Sequence, residues 1–82
     1  MTRKFPVHAP RGRVIGALHA LGFRVVGEGD YVAMMRDNVV GTRTPLTLPG
    51  HATIKGSTLP AICIQARIQR DDFLTAYYRE TR

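Results

Sequence analysis

The stretch at residues 23–49, FRVVGEGDYVAMMRDNVVGTRTPLTLP, decides the fold. It contains three short runs, FRVV, YVAMMR and TPLTLP, separated by GEGD and DNVVGTR. The runs are rich in β-branched and other apolar residues, and the separators hold the glycine, aspartate and asparagine that turns require. A period of two in the second run puts Val32 and Met34 on one face and Tyr31, Ala33 and Met35 on the other. In the third run Leu46 and Leu48 share a face. Pro45 has no N–H to give to a ladder, which favours an edge position for that strand. The expectation is a three-stranded antiparallel sheet with one buried face.

Outward from the sheet, the pattern changes to a helical one. Val14, Ile15, Leu18 and Leu21 recur with helical spacing after Pro10, and Gly22 is a natural stop, so the spacing predicts a helix over 10–21. Gly12 and Gly16 weaken that helix by up to about 1 kcal/mol each relative to alanine, so packing must hold it. Pro6 and Pro10 make residues 1–9 an extended N-terminal arm. Downstream, Leu59, Ile62, Cys63 and Ala66 form the inward stripe of a helix over 58–66, with Pro60 tolerated in its first turn. A last helix, 70–79, opens with Asp71 and Asp72, where the helix dipole favours acids, and buries Phe73, Leu74 and Tyr77. The class is α+β, with one domain over 10–79, its helices on one face of the sheet and the other face open to function.

Composition narrows the function. Eighty-two residues make one domain with a small core, and 44% apolar content is that of a folded chain. No run approaches the roughly 20 apolar residues of a membrane span. The opening MTRKFPVHAP lacks the apolar stretch of a secretory signal. The single cysteine, Cys63, permits no intramolecular disulfide and suits a reducing compartment, so the cytoplasm is expected. Twelve Lys and Arg against six Asp and Glu give a net charge of +6. Residues 1–27 hold Arg3, Lys4, Arg11, Arg13 and Arg24 and no acid. Such a balance suggests a polyanionic partner, a nucleic acid or an acidic protein.

The connection GHATIKGSTL, residues 50–59, gathers His51, Lys55, Ser57 and Thr58 just before an apolar helix. Lys55 is a mobile positive charge, Gly56 allows close backbone approach, and the hydroxyls and helix start offer donors to an anion. The same segment also reads as a helix start with Ser57 or Thr58 as N-cap and His51 in a surface turn. Arg36 and Arg43, flanking the second separator, either grip a backbone phosphate or are solvated. His19 reads as a solvated helix residue and His8 as an unconstrained residue of the arm. Cys63 reads as a buried small thiol rather than a nucleophile.

RVIGALHALGFRVV, a short hairpin strand, and GTRTPLTLPGHATIKGSTLPAIC together resemble the HicA toxins of bacterial toxin–antitoxin pairs. The likeness covers about residues 5–75, and its most specific part is the stretch PGHATIKGSTL. The resemblance implies a fold similar to the double-stranded RNA-binding domain, of order α-β-β-β-α. It implies a metal-independent ribonuclease that cleaves mRNA without a cofactor. Its partner would be an acidic HicB-like antitoxin, with the toxin monomeric alone and hetero-oligomeric in the complex. The family's catalytic histidine stands at the start of the second strand in a pattern like G-[SN]-H-hydrophobic. Here Gly29 and Val32 match and Tyr31 takes the histidine position. His51 matches the family's second histidine.

The substitution matters chemically. Cleaving RNA without a metal usually begins by removing a proton from a 2′-hydroxyl, and a base that titrates near the working pH serves best. Imidazole titrates at about 6.5 and a phenol at about 10. Tyrosine is suited instead to donating a hydrogen bond or stacking on a base. The expected site is therefore Tyr31 and His51 for chemistry, with Lys55, Ser57, Thr58, Arg36 and Arg43 on RNA phosphates. The alternative is a catalytically silent module of the same fold that binds RNA, the antitoxin or both.

Overall fold

The computed structural model describes residues 4–79. In chain order the elements are β1 (His8–Pro10), α1 (Arg11–Ala20), β2 (Arg24–Glu28), β3 (Tyr31–Asp37), β4 (Arg43–Pro49), β5 (Thr53–Lys55), a 3-10 turn (Gly56–Thr58), α2 (Leu59–Ala66) and α3 (Arg70–Arg79). The expected small α+β architecture, with a three-stranded antiparallel sheet and three helices, is what forms.

The sheet has the order β2–β3–β4 and is antiparallel throughout. Tyr31 lies opposite Pro49, Ala33 opposite Thr47, and Asp37 opposite Arg43. Alternation sends Val32, Met34, Thr44, Leu46 and Leu48 inward, while Tyr31, Arg43, Pro45 and Thr47 are exposed. Pro45 sits on an edge strand, as its missing N–H requires. The first separator is shorter than GEGD suggests. An irregularity between Val25 and Gly27 adds a residue to β2, so the strand runs on to Glu28 and the turn shrinks to Gly29 and Asp30.

α1 ends in a double backbone closure. Gly22 N–H donates to the His19 carbonyl and Phe23 N–H to the Leu18 carbonyl, both at 3.0 Å, with Gly22 at φ +101°. That left-handed closure is the reason for glycine at this position. Val14, Ala17 and Leu18 of α1 join Phe23, the inward sheet residues, Leu59, Ile62, Cys63 and Ala66 of α2, and Phe73, Leu74 and Tyr77 of α3 in one core. Each fully buried large side chain of this kind contributes about 1.5–3 kcal/mol.

The N-terminal arm differs from expectation. It is extended, but residues 8–10 are tied down as β1, pairing antiparallel with β5 through His8–Lys55, Ala9–Ile54 and Pro10–Thr53. His8 is therefore held in a ribbon, although its side chain is exposed. Phe5 packs near Phe73, ring centroids 6.2 Å apart, under the Arg70 guanidinium at 4.7 Å. Ala9 and Ile54 are the only buried residues of these two strands. Strands of three residues leave no periodic signal to read. Among the described residues no helix is long and apolar enough to cross a membrane.

Candidate functional site

The site forms at the end of the β3–β4 hairpin, where the turn before β3 meets the chain leaving β4. Gly50 makes this meeting possible. A Cβ there would lie 2.0 Å from the Asp30 carbonyl oxygen, so only glycine lets the two backbones pass. Gly29, Asp30, Tyr31, Pro49, Gly50 and His51 consequently line one cleft. A second cleft shares Pro49 and His51 and continues over Thr53, Ile54, Lys55 and Thr58. His51 thus stands between Tyr31 on one side and Lys55 with Thr58 on the other. His51 and Lys55 are exposed, and Tyr31 retains 63% of its accessible surface.

Arg11 holds the loop that carries His51. Its backbone N–H donates to the Ala52 carbonyl at 2.8 Å, and its Nη1 donates to the Gly50 carbonyl at 2.9 Å. The two contacts bracket His51 from either side. A charge-assisted bond of this kind contributes about 1.5–3 kcal/mol. The β1–β5 ribbon fixes Lys55 one strand length further on, so a segment that reads as a loop is anchored at both ends.

Gly56 has a different role from the one expected. A Cβ on it would meet the Pro6 carbonyl oxygen at 2.0 Å, and its N–H donates to the Val7 carbonyl at 2.6 Å. The close approach that glycine permits is taken by the N-terminal arm, and one donor of the helix start is engaged there. The capping reading also changes. Thr58 stands at the N-cap of α2 with no side-chain cap bond, at φ −85° and ψ −23°. A cap needs extended backbone, whereas the 3-10 turn feeds α2 with backbone already helical. The half-buried Thr58 lines the His51 cleft, while the exposed Ser57 faces a neighbouring groove with Pro6, His8 and Lys55.

Arg36 and Arg43 are not part of this cluster. Arg36 is half-buried and turned into the fold: Nε donates to Asn38 Oδ1 at 3.1 Å, the guanidinium lies 5.0 Å over the Phe23 ring, and Nη2 reaches the Ala66 carbonyl at 3.5 Å. Arg43 is exposed at the opposite end of the hairpin, its Nε 3.3 Å from Asp37 Oδ1. Asp37 also receives Arg24 at 2.7 Å. Arg11 and Gly50 are the site-forming residues that the sequence reading missed. Gly50 carried a signal, a glycine directly after Pro49 at a strand end, while Arg11 carried none.

The remaining reactive groups fall elsewhere. Burial pushes the Cys63 thiol up from 9.0 to about 11, with the Arg70 charge opposing, so it stays protonated near neutrality and is no nucleophile. His19 is exposed on α1, as expected. Among the described residues no three His, Cys, Asp or Glu side chains gather where they could hold a metal ion. No protein-family model, no curated protein and no solved structure matches the chain.

Proposed function

We propose that the protein is a HicA-like toxin of a toxin–antitoxin pair, an endoribonuclease that cleaves mRNA at the Tyr31–His51 cleft. The observation that carries this reading is the convergence of Tyr31 and His51 on one cleft, with Lys55 and Thr58 on the adjoining one. In sequence these residues span 28 positions, from 31 to 58. The succession α1–β2–β3–β4–α2 also supports a double-stranded-RNA-binding-domain-like fold, to which the β1–β5 ribbon is an addition.

The chemistry assigns each group a role. The His51 imidazole takes the proton from a 2′-hydroxyl, and the freed oxygen attacks the adjacent phosphorus. The P–O5′ bond breaks, leaving a 2′,3′-cyclic phosphate and a 5′-oxygen that takes up a proton. The Lys55 ammonium and the Tyr31 hydroxyl stabilise the charge that develops on the phosphoryl oxygens. Each of these groups is carried by backbone that the ribbon, Gly50 or Arg11 holds in place. The cellular setting is the cytoplasm, and the partner is an acidic HicB-like antitoxin drawn to the basic face by opposite fields.

A second reading is favoured by one residue. Tyr31 stands where the resemblance places the catalytic histidine, so the chain can instead be a silent module that binds RNA or antitoxin without cutting. Producing the protein alone in a bacterium distinguishes the two. Growth arrest with transcript cleavage supports the toxin. Unchanged growth with intact transcripts, converted to arrest by Tyr31→His, supports the silent module.

A further inference from the structure

We propose that Arg67, together with Arg43, forms a second phosphate-contact site that holds RNA along the seam between α2 and β4. This inference rests on the RNA-binding reading above. A polar cleft lies between the turn end of the β3–β4 hairpin and the end of α2, lined by Arg43, Thr42, Thr44, Gln65 and Arg67 among others. No carboxylate lines it. Asp37 touches Arg43 from the strand alongside. The exposed Arg67 guanidinium has no carboxylate partner among the described residues.

The backbone of Arg67 is the second observation. It adopts φ 56° and ψ 44°, and it is the sole non-glycine with positive φ among the described residues. The closure of α2 imposes this conformation: Arg67 N–H donates to the Ile64 carbonyl at 3.2 Å and Ile68 N–H to the Cys63 carbonyl at 3.1 Å. Glycine takes such a position freely and arginine takes it at a cost. A strained residue with an unpartnered charge, facing a polar cleft, is placed for contact rather than for stability.

The position of the cleft defines the path. α2 starts at the Lys55–Thr58 cleft and ends at Arg67, a run of about 12 Å at 1.5 Å per residue. β4 runs alongside it from the Arg43–Pro45 end to Pro49, and Pro45 to Pro49 spans about 13 Å. The two elements pack on each other, and each cleft takes lining residues from one end of this pair. A strand cut at His51 would lay its neighbouring phosphates along this seam toward Arg67 and Arg43.

Arg67→Gly is the test because its two effects point in opposite directions. Relief of the left-handed strain raises the melting temperature, while loss of the guanidinium weakens RNA binding. Binding is measured by titrating a 2′-O-methyl oligoribonucleotide, which cannot be cleaved through the 2′-oxygen, across a salt series. The expected result is an affinity loss of about three- to tenfold at low salt and a salt slope reduced by about one. Arg67→Lys should retain most of the slope. Unchanged affinity and slope in Arg67→Gly, with native binding intact, overturns this inference alone and leaves Arg67 as a partner of the helix dipole. Absence of binding by the native chain overturns the RNA-binding reading and this inference together.

Discussion

The guanidiniums engaged along the body of the fold and the two cations at the ends of α2 carry the same charge and differ in what they touch. Arg11 fastens the His51 loop, the Arg13 guanidinium lies 4.0 Å over the Tyr77 ring, Arg24 pairs with Asp37, and Arg36 covers Phe23. Lys55 and Arg67, in the second half, have no carboxylate partner among the described residues and stand at the two ends of α2. The acid-free stretch 1–27 suggests a basic face by composition, yet three of its five cations are engaged within the fold and Arg3 lies outside the described residues. Charge counts locate a polyanion surface only after the internally engaged guanidiniums are subtracted.

The largest test is Gly50→Ala, which adds a methyl where the Asp30 carbonyl already stands. We expect a loss of about 2–3 kcal/mol in denaturant unfolding, because backbone on both sides must move. A neutral result would show that the Tyr31 turn and His51 loop are not held together as described. Arg11→Ala comes next, at about 1.5–2 kcal/mol, with faster hydrogen exchange at Ala52 and its neighbours as the local signature.

Arg24→Ala should cost well under 1 kcal/mol in the same unfolding assay, because both partners of its ion pair are more than half exposed. Lys55→Ala closes the series. Its stability should be unchanged within about 0.5 kcal/mol, while oligoribonucleotide affinity falls and the salt slope drops by about one. If Lys55→Ala unfolds the chain and Arg11→Ala does not, the division between holding and contacting cations is reversed.

The sheet and helices were legible because their signals are periodic. Val32 and Met34, and likewise Leu46 and Leu48, alternate with exposed neighbours, and Leu59, Ile62, Cys63 and Ala66 repeat at helical spacing. The β1–β5 ribbon was not legible. It has one buried residue on each strand, and its partners lie 43–47 positions apart in the sequence. His51 and Lys55 stood out as residue types suited to phosphate chemistry, and Tyr31 only through the HicA resemblance; the structure brings the three to two adjoining clefts. Arg36, expected either on a phosphate or in solvent, is half-buried at the end of β3, and only the tertiary fold shows Phe23 and Ala66 beneath it. Arg67 went unnoticed because nothing in the sequence QARI marks a left-handed backbone without glycine.

The most direct measurement is cleavage of a labelled RNA by the purified protein, native and His51→Ala, with analysis of the ends produced. The native chain should leave 2′,3′-cyclic phosphate ends, and His51→Ala should cut at a rate at least about a hundredfold lower, the scale of a lost general base. Cleavage by His51→Ala at the native rate would contradict the assignment of His51 as that base.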